Sequence, residues 1–566
     1  MTLAKLLIQL DGSGYGTYKR ISGTHRLTEN IELTVDRVQS DPFAPPSLVQ
    51  VRVPLAATGI KPALLADVGA VAVGDHLTRR VDHAIRELAP HGGKTSGGLS
   101  IDVPGQQVLD RTSVVFVDQQ TPQVLIRMEA ALPAQGRRIR GSAASKLLTQ
   151  TLPKVIDQAV LQLDQHALTS AVELLRDQTR LRELLVEHEL IGFIADDAVL
   201  PRAAGNSDLP AQHAVPFASP AALQRSFALP SGRTVTGMAL PRGVSLIVGG
   251  GYHGKSTVLR ALERGVYNHI GGDGREFVVT VDDAVALRAE DGRSVAGVDI
   301  STFIGELPGG TDTTRFSTTN ASGSTSQAAS LVEALEADTS LLLIDEDTSA
   351  TNFMIRDERM RKLVPKGKEP ITPLVDRIRA LWEDQGISTV LVAGGSGEFI
   401  DVADRVLLLD HYRVADISAQ ARQLAEPIAR QAPFPAPRQR VLQAGQSAQT
   451  ASDHRKRGKS RGNKPPQARG LHTIRHAAGV IDLAAVSQLV DASQTNSIAA
   501  VLAVLEKRVD GHRKLTELVD EIFAQIEFEG LEVISPYRGH PGRLARPRPQ
   551  EVFAAINRNR SLRIGR

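Results

Sequence analysis

From about residue 221 the hydrophobic pattern settles into a repeated form. Short apolar runs, VSLIV (244–248), FVVTV (277–281), SLLLI (340–344), TVLVA (389–393) and RVLLL (405–409), alternate with longer amphipathic stretches. Runs of that length bounded by polar residues read as buried strands. With helices between them, they predict a largely parallel sheet with crossovers over 221–425. The rhythm before residue 200 is different. The opening MTLAKLLIQLDG predicts a first helix and not a secretion signal. IELTVDRVQ (31–39) and LVQVRVPL (48–55) alternate as half-buried strands on either side of a stiff turn, DPFAPPS (41–47). Leu161, Leu168, Val172 and Leu175 then recur at helical spacing.

These changes of rhythm predict an α+β domain over 1–200 and a strand–helix domain over 201–430, entered through a polar, Pro-rich connector. A basic, low-complexity linker follows at 431–470, where apolar periodicity is lost. Residues 471–566 return to helical patterning and end in an Arg-rich tail.

Composition narrows the class. The chain has 566 residues, 42% of them hydrophobic and 23% charged, as in ordinary globular proteins. It has no cysteine, which excludes disulfides and thiolate metal sites. No apolar run approaches the roughly 18 residues of a membrane helix, so the expected setting is cytoplasmic and away from membranes. The formal net charge is only +3, but the positive charge is clustered. Basic stretches stand at RRIR (137–140), HRKRGKSRGNK (454–464) and the tail, where residues 531–566 hold eight Arg against two Glu.

The strongest chemical signal is GGGYHGKST (249–257). Gly249, Gly254, Lys255 and Ser256 satisfy G-x-x-x-x-G-K-[ST] between an apolar strand and a helix-forming run. In that context glycines let successive backbone N–H groups curl around phosphate oxygens, and the helix N-terminus adds partial positive charge. Lys255 is then placed for the β- and γ-phosphates and Ser256 for Mg²⁺. The competing reading, a chance glycine turn, lacks the flanking strand and helix. HGGKTSGG (91–98) lacks the opening glycine and reads as a loop.

LLLIDED (341–347) predicts a buried strand ending in two carboxylates. Asp345 is placed to hold Mg²⁺ through water, and Glu346 to polarise an attacking water. Between the two motifs lies NASGSTSQAAS (320–330), a run of small residues ahead of a helix; alone it reads as a Ser-rich loop.

Taken in order, GGGYHGKST, NASGSTSQAAS and LLLIDEDTSATNFMIRD resemble the ABC-class ATPases. The likeness is closest to the soluble predicted ATPases of that class, through DPFAPPS, RAEDGR (288–293), DEDTSATNFMIRD (345–357), EPITPLVDRIR (369–379) and ADRVLLLDHY (403–412). The resemblance implies an α/β fold, a P-loop NTPase of ABC-ATPase type, with an α+β N-terminal domain and a mainly helical C-terminal region. It implies ATP and Mg²⁺ as ligands and a homodimer closed around two ATP. Gly249, Gly250, Gly251, Tyr252, His253, Gly254, Lys255, Ser256 and Thr257 of one protomer would face Ser322, Gly323 and Ser324 of the other. Lys255 and Glu346 would be catalytic, Ser256 and Asp345 would bind the metal, and Ser349–Thr351 would lie at the subunit interface.

The sequence departs from the broad pattern in two places. The signature reads ASGST, and GGSGEF (394–399) stands where a switch histidine is expected, which implies slow hydrolysis. Gly394, Gly395 and Ser396 can offer N–H groups and a hydroxyl instead. No Q-loop glutamine is evident; Asp299, Ser301 and Glu306 stand in the interval. His253 is open to two readings, a substitute for the missing histidine or a solvent-facing loop residue. Phe217 and Phe227 are upstream candidates for stacking on adenine, and core positions on the alternative reading.

Three functions fit. One is an ATPase that clamps nucleic acid, RNA before DNA, through the basic segments. Another is a nucleotide-gated protein-interaction switch with little hydrolysis. A third, a small-molecule kinase, is disfavoured by the paired signature loop.

Overall fold

Alternation holds in the strand Glu32–Arg37, whereas Ser47–Pro54, expected to be half-buried, is buried throughout 47–51 because it lies inside the sheet between two neighbours. The computed structural model describes residues 1–89, 93–118, 120–307, 309–356, 363, 369–428, 431–436, 438–443, 465–477, 479–537 and 539–565. The chain divides into two units, Met1–Arg176 with Glu529–Arg546, and Asp177–Phe528 with Pro547–Arg566.

In the first unit an antiparallel sheet runs Gly23–Arg26, Glu32–Arg37, Ser47–Pro54, Gln123–Ala131 and Gly98–Ser100, with Val114–Val117 also paired to Gln123–Ala131. Ser47–Pro54 starts directly after Pro45-Pro46, whose fixed φ keeps the chain extended. Leu33, Val49, Val51 and Val53 are fully buried. They pack with Val73, Leu77, Val81 and Ile85 of the helix Gly69–Leu88, one stripe at helical spacing. Each such aliphatic side chain stabilises the fold by roughly 1.5–3 kcal/mol.

The second unit is built on a six-stranded sheet. Its elements are β1 (Val244–Gly249), α1 (Lys255–Arg264), β2 (Val285–Leu287), α2 (Gly323–Glu336), β3 (Leu341–Asp345), α3 (Ile378–Gln385), β4 (Ser388–Val392), β5 (Arg405–Asp410) and β6 (Arg413–Asp416). The strand order is β2-β3-β4-β1-β5-β6, parallel except for the terminal β5–β6 hairpin. Leu246, Leu287, Leu342, Ile344 and Leu391 of the sheet form one core with Ala328, Leu331 and Leu335 of α2 and Ile378 and Leu381 of α3.

Four of the five expected strands take their places in this sheet. The fifth does not: Val278–Thr280 pairs antiparallel with Gly192–Ile194, in a separate four-stranded sheet that also holds Gln224–Ala228 and Thr234–Pro241. Thr280 explains the placement. Its N–H donates to the Gly265 carbonyl and its hydroxyl to the Leu262 carbonyl, so the strand is tied to the end of α1. β2 fills the edge of the parallel sheet instead.

The C-terminal region also differs in detail. A three-stranded sheet, Gln467–Ala468, Thr473–His476 and Gly479–Asp482, precedes its helices. The helical patterning expected from residue 471 becomes helix only at Ala492, where Asp491 and Gln494 form a capping box. Helices α4 (Ala492–Arg508), α5 (Leu515–Glu529) and α6 (Pro549–Asn557) follow. Within 431–443, Phe434, Arg440 and Leu442 are buried. Arg440 donates to the Glu336 carboxylate at the end of α2 and, at 2.7 Å, to Asn557 Oδ1 of α6.

Candidate functional site

Parallel strands bring their carboxyl ends to one edge of a sheet, and the register here aligns three loops at that edge. Ile247 of β1 pairs with Val392 of β4, and Val392 with Asp345 of β3. The loop after β1 (249–257), the pair Asp345-Glu346 and the loop after β4 (394–396) therefore emerge side by side.

The loop after β1 has the conformation its glycines permit. Gly249 has φ +145° and Gly254 φ +98°. A Cβ on Gly249 would lie 2.2 Å from the Leu409 carbonyl oxygen, so only glycine fits there. Gly251 has open space around it. Lys255 opens α1, and its ammonium donates to the Gly249 carbonyl at 2.7 Å and the Gly250 carbonyl at 2.8 Å. Ser256 and Thr257 are half-buried on the first turn of α1, while Tyr252 stands 99% exposed. This cradle fits a polyphosphate. Its loop is curled, its rim is open, it has one ammonium, and no side chain caps the N-terminus of α1.

Asp345 is half-buried at the end of β3 and accepts from the Asp347 N–H at 3.2 Å. Glu346 is held by the neighbouring loop. Gly394 N–H donates to Glu346 Oε2 at 2.7 Å, Gly395 N–H to the same atom at 3.4 Å, and Ser396 Oγ to Oε1 at 2.6 Å. The two N–H groups and the hydroxyl that GGSGEF offers are bonded to the Glu346 carboxylate in this structure. The hydroxyl on Ser256 and the carboxylate on Asp345 are the oxygen donors that a hard divalent cation such as Mg²⁺ takes.

Ser322 is the N-cap residue of α2, with φ −73° and ψ 167°, and no side chain caps that helix. Ser322 Oγ lies 3.0 Å from Thr325 Oγ1 and 3.4 Å from Ser324 Oγ. Among the described residues no hydrogen bond joins 322–324 to 249–257. The loop is fixed from behind. Gly292 N–H donates to the Ala321 carbonyl, Ala321 N–H to that of Arg293, and Glu290 N–H to Ser326 Oγ. A buried Arg293–Glu333 ion pair at 2.5 Å anchors the same segment to α2, although burial, the largest influence, pulls the Arg293 pKa down. The RAEDGR motif is therefore the platform under the signature loop.

The sequence reading missed Gln327. It is fully buried and ties α2 to the segment after Asp345-Glu346: its Nε2 donates to Ser349 Oγ at 2.9 Å, and its Oε1 accepts from the Ala350 N–H at 2.8 Å. A buried amide needs partners for both ends, and a Gln one turn into a helix of small residues is the signal that could have flagged it.

It also missed what the tail arginines do. Arg543 pairs with Glu129, Arg548 with Glu551 and Arg558 with Glu290, and Arg560 donates to the Thr319 and Gly292 carbonyls. Arg548 is buried, which opposes its charge, but Glu551 and its other partners raise its pKa. In RRIR, Arg138 and Arg140 donate to the Gly12 and Thr95 carbonyls. The basic stretch 454–464 lies outside the described residues. Phe217 and Phe227 are 4% and 8% exposed, core positions rather than base platforms.

His253 is the loop residue with the most developed surroundings. Its Nδ1 lies 3.1 Å from Asp410 Oδ1, and its ring is 4.8 Å from that of His411. His411 and Tyr412 form the two-residue turn between β5 and β6, with φ +45° and +67°. Two consecutive left-handed residues make a type I′ turn, which favours Asn-Gly, and a larger side chain costs roughly 1–2 kcal/mol per residue. Tyr412 backs onto the phosphate loop, its Cδ1 lying 3.0 Å from where a Cβ on Gly254 would be.

Comparison with known proteins agrees with this architecture. A model described as the ABC ATPase P-loop domain matches residues 164–442, one described as the N-terminal domain of ATPases of the ABC class matches 1–163, and the MRB1590 C-terminal domain model matches 466–565. The uncharacterized protein MJ1628 of Methanocaldococcus jannaschii is 27% identical over 286 residues, 47% of this chain and 62% of its own length. The chain thus spans about three fifths of that relative. Among solved structures, a bacterial Atm1-family ABC exporter with ATP bound is 17% identical with TM-score 0.25, covering 52% of this chain and 54% of the exporter chain. CbiO1 from Clostridium perfringens, part of the ABC transporter complex cbiONQ, is 12% identical with TM-score 0.23, covering 40% and 87%. Both likenesses are too low to add to the family match. Among the described residues no helix is long and apolar enough to cross a membrane. The two ATPase models together cover residues 1–442, and the chain belongs to the ABC-class ATPases.

Proposed function

We propose that the protein is an ATP-hydrolysing clamp in which two copies of the chain close around two ATP and so act on a nucleic acid, RNA in preference to DNA. The observation that carries the reading is the three-donor grip of Gly394, Gly395 and Ser396 on Glu346, beside the phosphate loop. It gives a carboxylate a fixed position at the strand edge where the triphosphate would end, and that is what a water-orienting base requires.

The residue roles follow. The N–H groups of 249–257 and the Lys255 ammonium hold the phosphates, and Ser256 and Asp345 hold Mg²⁺. When bound, Mg²⁺ neutralises charge on the β- and γ-phosphate oxygens. Glu346 takes the proton of the attacking water, and Ser396 positions Glu346 in place of a switch histidine. Ser322–Ser324 lead into a helix with no side-chain cap and, among the described residues, no hydrogen bond to its own phosphate loop, which leaves its N-terminus to face a second protomer's nucleotide. A nucleotide that binds the closed pair better than the open one shifts that equilibrium by its differential affinity.

The nucleic-acid client rests on the segment 451–470, with seven Lys or Arg against one Asp. The second reading, a nucleotide-gated protein-interaction switch, is favoured by the commitment of Arg543, Arg548, Arg558 and Arg560 to partners in their own chain. ATP turnover measured with and without single-stranded RNA, at low and high salt, separates the two. A clamp on RNA gives faster turnover with RNA at low salt and loses the stimulation as salt rises. Turnover indifferent to RNA at every salt concentration supports the switch.

A further inference from the structure

We infer that His253, Asp410 and His411 form a binding site for a zinc-type divalent cation, separate from the Ser256–Asp345 pair. Three features of the β5–β6 hairpin and the phosphate loop lead there.

The first is distance. Asp410 Oδ1 lies 2.8 Å from His411 Nδ1 and 3.1 Å from His253 Nδ1, and one ligand atom from each of the three residues lies within 4.8 Å of the others. Nitrogen and oxygen ligands at about 2.0–2.2 Å from a tetrahedral zinc stand roughly 3.3 Å apart. The two separations to Asp410 are within about half an ångström of that value, and the two imidazoles, whose ligand atoms lie within 4.8 Å, must rotate closer to enclose an ion.

The second is ligand chemistry. Two imidazoles and one carboxylate suit zinc and its first-row neighbours, whereas Mg²⁺ takes oxygen donors and keeps its waters. Three protein ligands leave a fourth position for water or a phosphate oxygen.

The third is the backbone. His411 occupies a left-handed turn position that Asn or Gly would fill with less strain, and that turn sets its ring against the ring of His253. Strained positions of this kind persist where the side chain has work to do.

The three ligands come from two elements, His253 from the phosphate loop and the other two from the hairpin. A cation at this point ties them together and restrains Tyr252–Gly254. Without a metal, the His411 backbone N–H donates to His253 Nδ1 at 3.3 Å and His411 Nδ1 lies 2.8 Å from Asp410 Oδ1, contacts that hold the three side chains together by themselves, and a titration distinguishes the two cases.

The test is calorimetric titration of ZnCl₂ into the full-length, chelator-treated protein without nucleotide, so that its outcome is independent of ATP chemistry. One saturable equivalent is expected, undiminished by MgCl₂. Asp410→Asn and His411→Asn are each expected to weaken it at least about tenfold, the scale of loss for disturbed zinc sites. His411→Asn suits the turn better than histidine does, so loss of zinc in that variant is not loss of the hairpin. Absence of saturable zinc binding in the wild-type protein, or wild-type affinity retained by His411→Asn, overturns the site.

Discussion

A Glu346→Gln protein is expected to bind ATP with near wild-type affinity and to turn it over at least about 100-fold more slowly, the lower end of what a general base contributes. Glutamine preserves the shape of the side chain, and its carbonyl oxygen can still accept from Gly394. It removes the one carboxylate that the Gly394–Ser396 loop holds in place. The interactions of the phosphate loop, two strands away in the sheet, stay as they are. Loss should therefore fall on the rate and not on binding. Steady-state phosphate release beside equilibrium ATP binding checks this. A variant that hydrolyses at the wild-type rate would remove Glu346 from the chemistry and leave the grip on it a structural feature only.

Lys255→Ala is expected to fail earlier, at binding. The ammonium already sits between two carbonyls at the loop's opening, 2.7 and 2.8 Å away, and is positioned for the phosphates by the first turn of α1. A charge-assisted hydrogen bond contributes roughly 1.5–3 kcal/mol. Losing it corresponds to about a 10- to 100-fold weaker affinity for ATP. Alanine also releases the Gly249 and Gly250 carbonyls, which adds disorder to the loop. Equilibrium dialysis with labelled ATP measures the loss; an affinity within about twofold of the wild type would mean that the lysine is only a loop brace.

The parts legible in the sequence were those written locally. A five-residue apolar run, glycines at the places where φ turns positive, and a helix-forming stretch after Lys255 are contiguous signals, and strand, loop and helix followed them. The same holds for Asp345-Glu346 at the end of β3. What was not legible depends on partners far away along the chain. FVVTV has the same apolar character as its neighbours, yet Thr280 binds it to α1 and its strand pairs antiparallel. Arg558 reads as tail charge, but its partner Glu290 lies 268 residues away. Gln327 differs little in sequence from a surface residue, and only the fold shows that its amide is buried between Ser349 and Ala350. Short apolar segments in 466–482 are too brief to show periodicity, so their small sheet was hidden behind the stronger helical pattern downstream.

In the proposed clamp the signature loop of one protomer closes on the phosphate loop of another. The chain has no cysteine of its own, so introduced thiols can be read without background. Tyr252 and Ser322 are both exposed, one in each loop. In the Glu346→Gln background, a Tyr252→Cys and Ser322→Cys protein treated with a short bismaleimide should give a cross-linked dimer with Mg-ATP and remain uncross-linked without it. Cross-linking within a single chain, or the same amount of dimer with and without nucleotide, would contradict the two-protomer site.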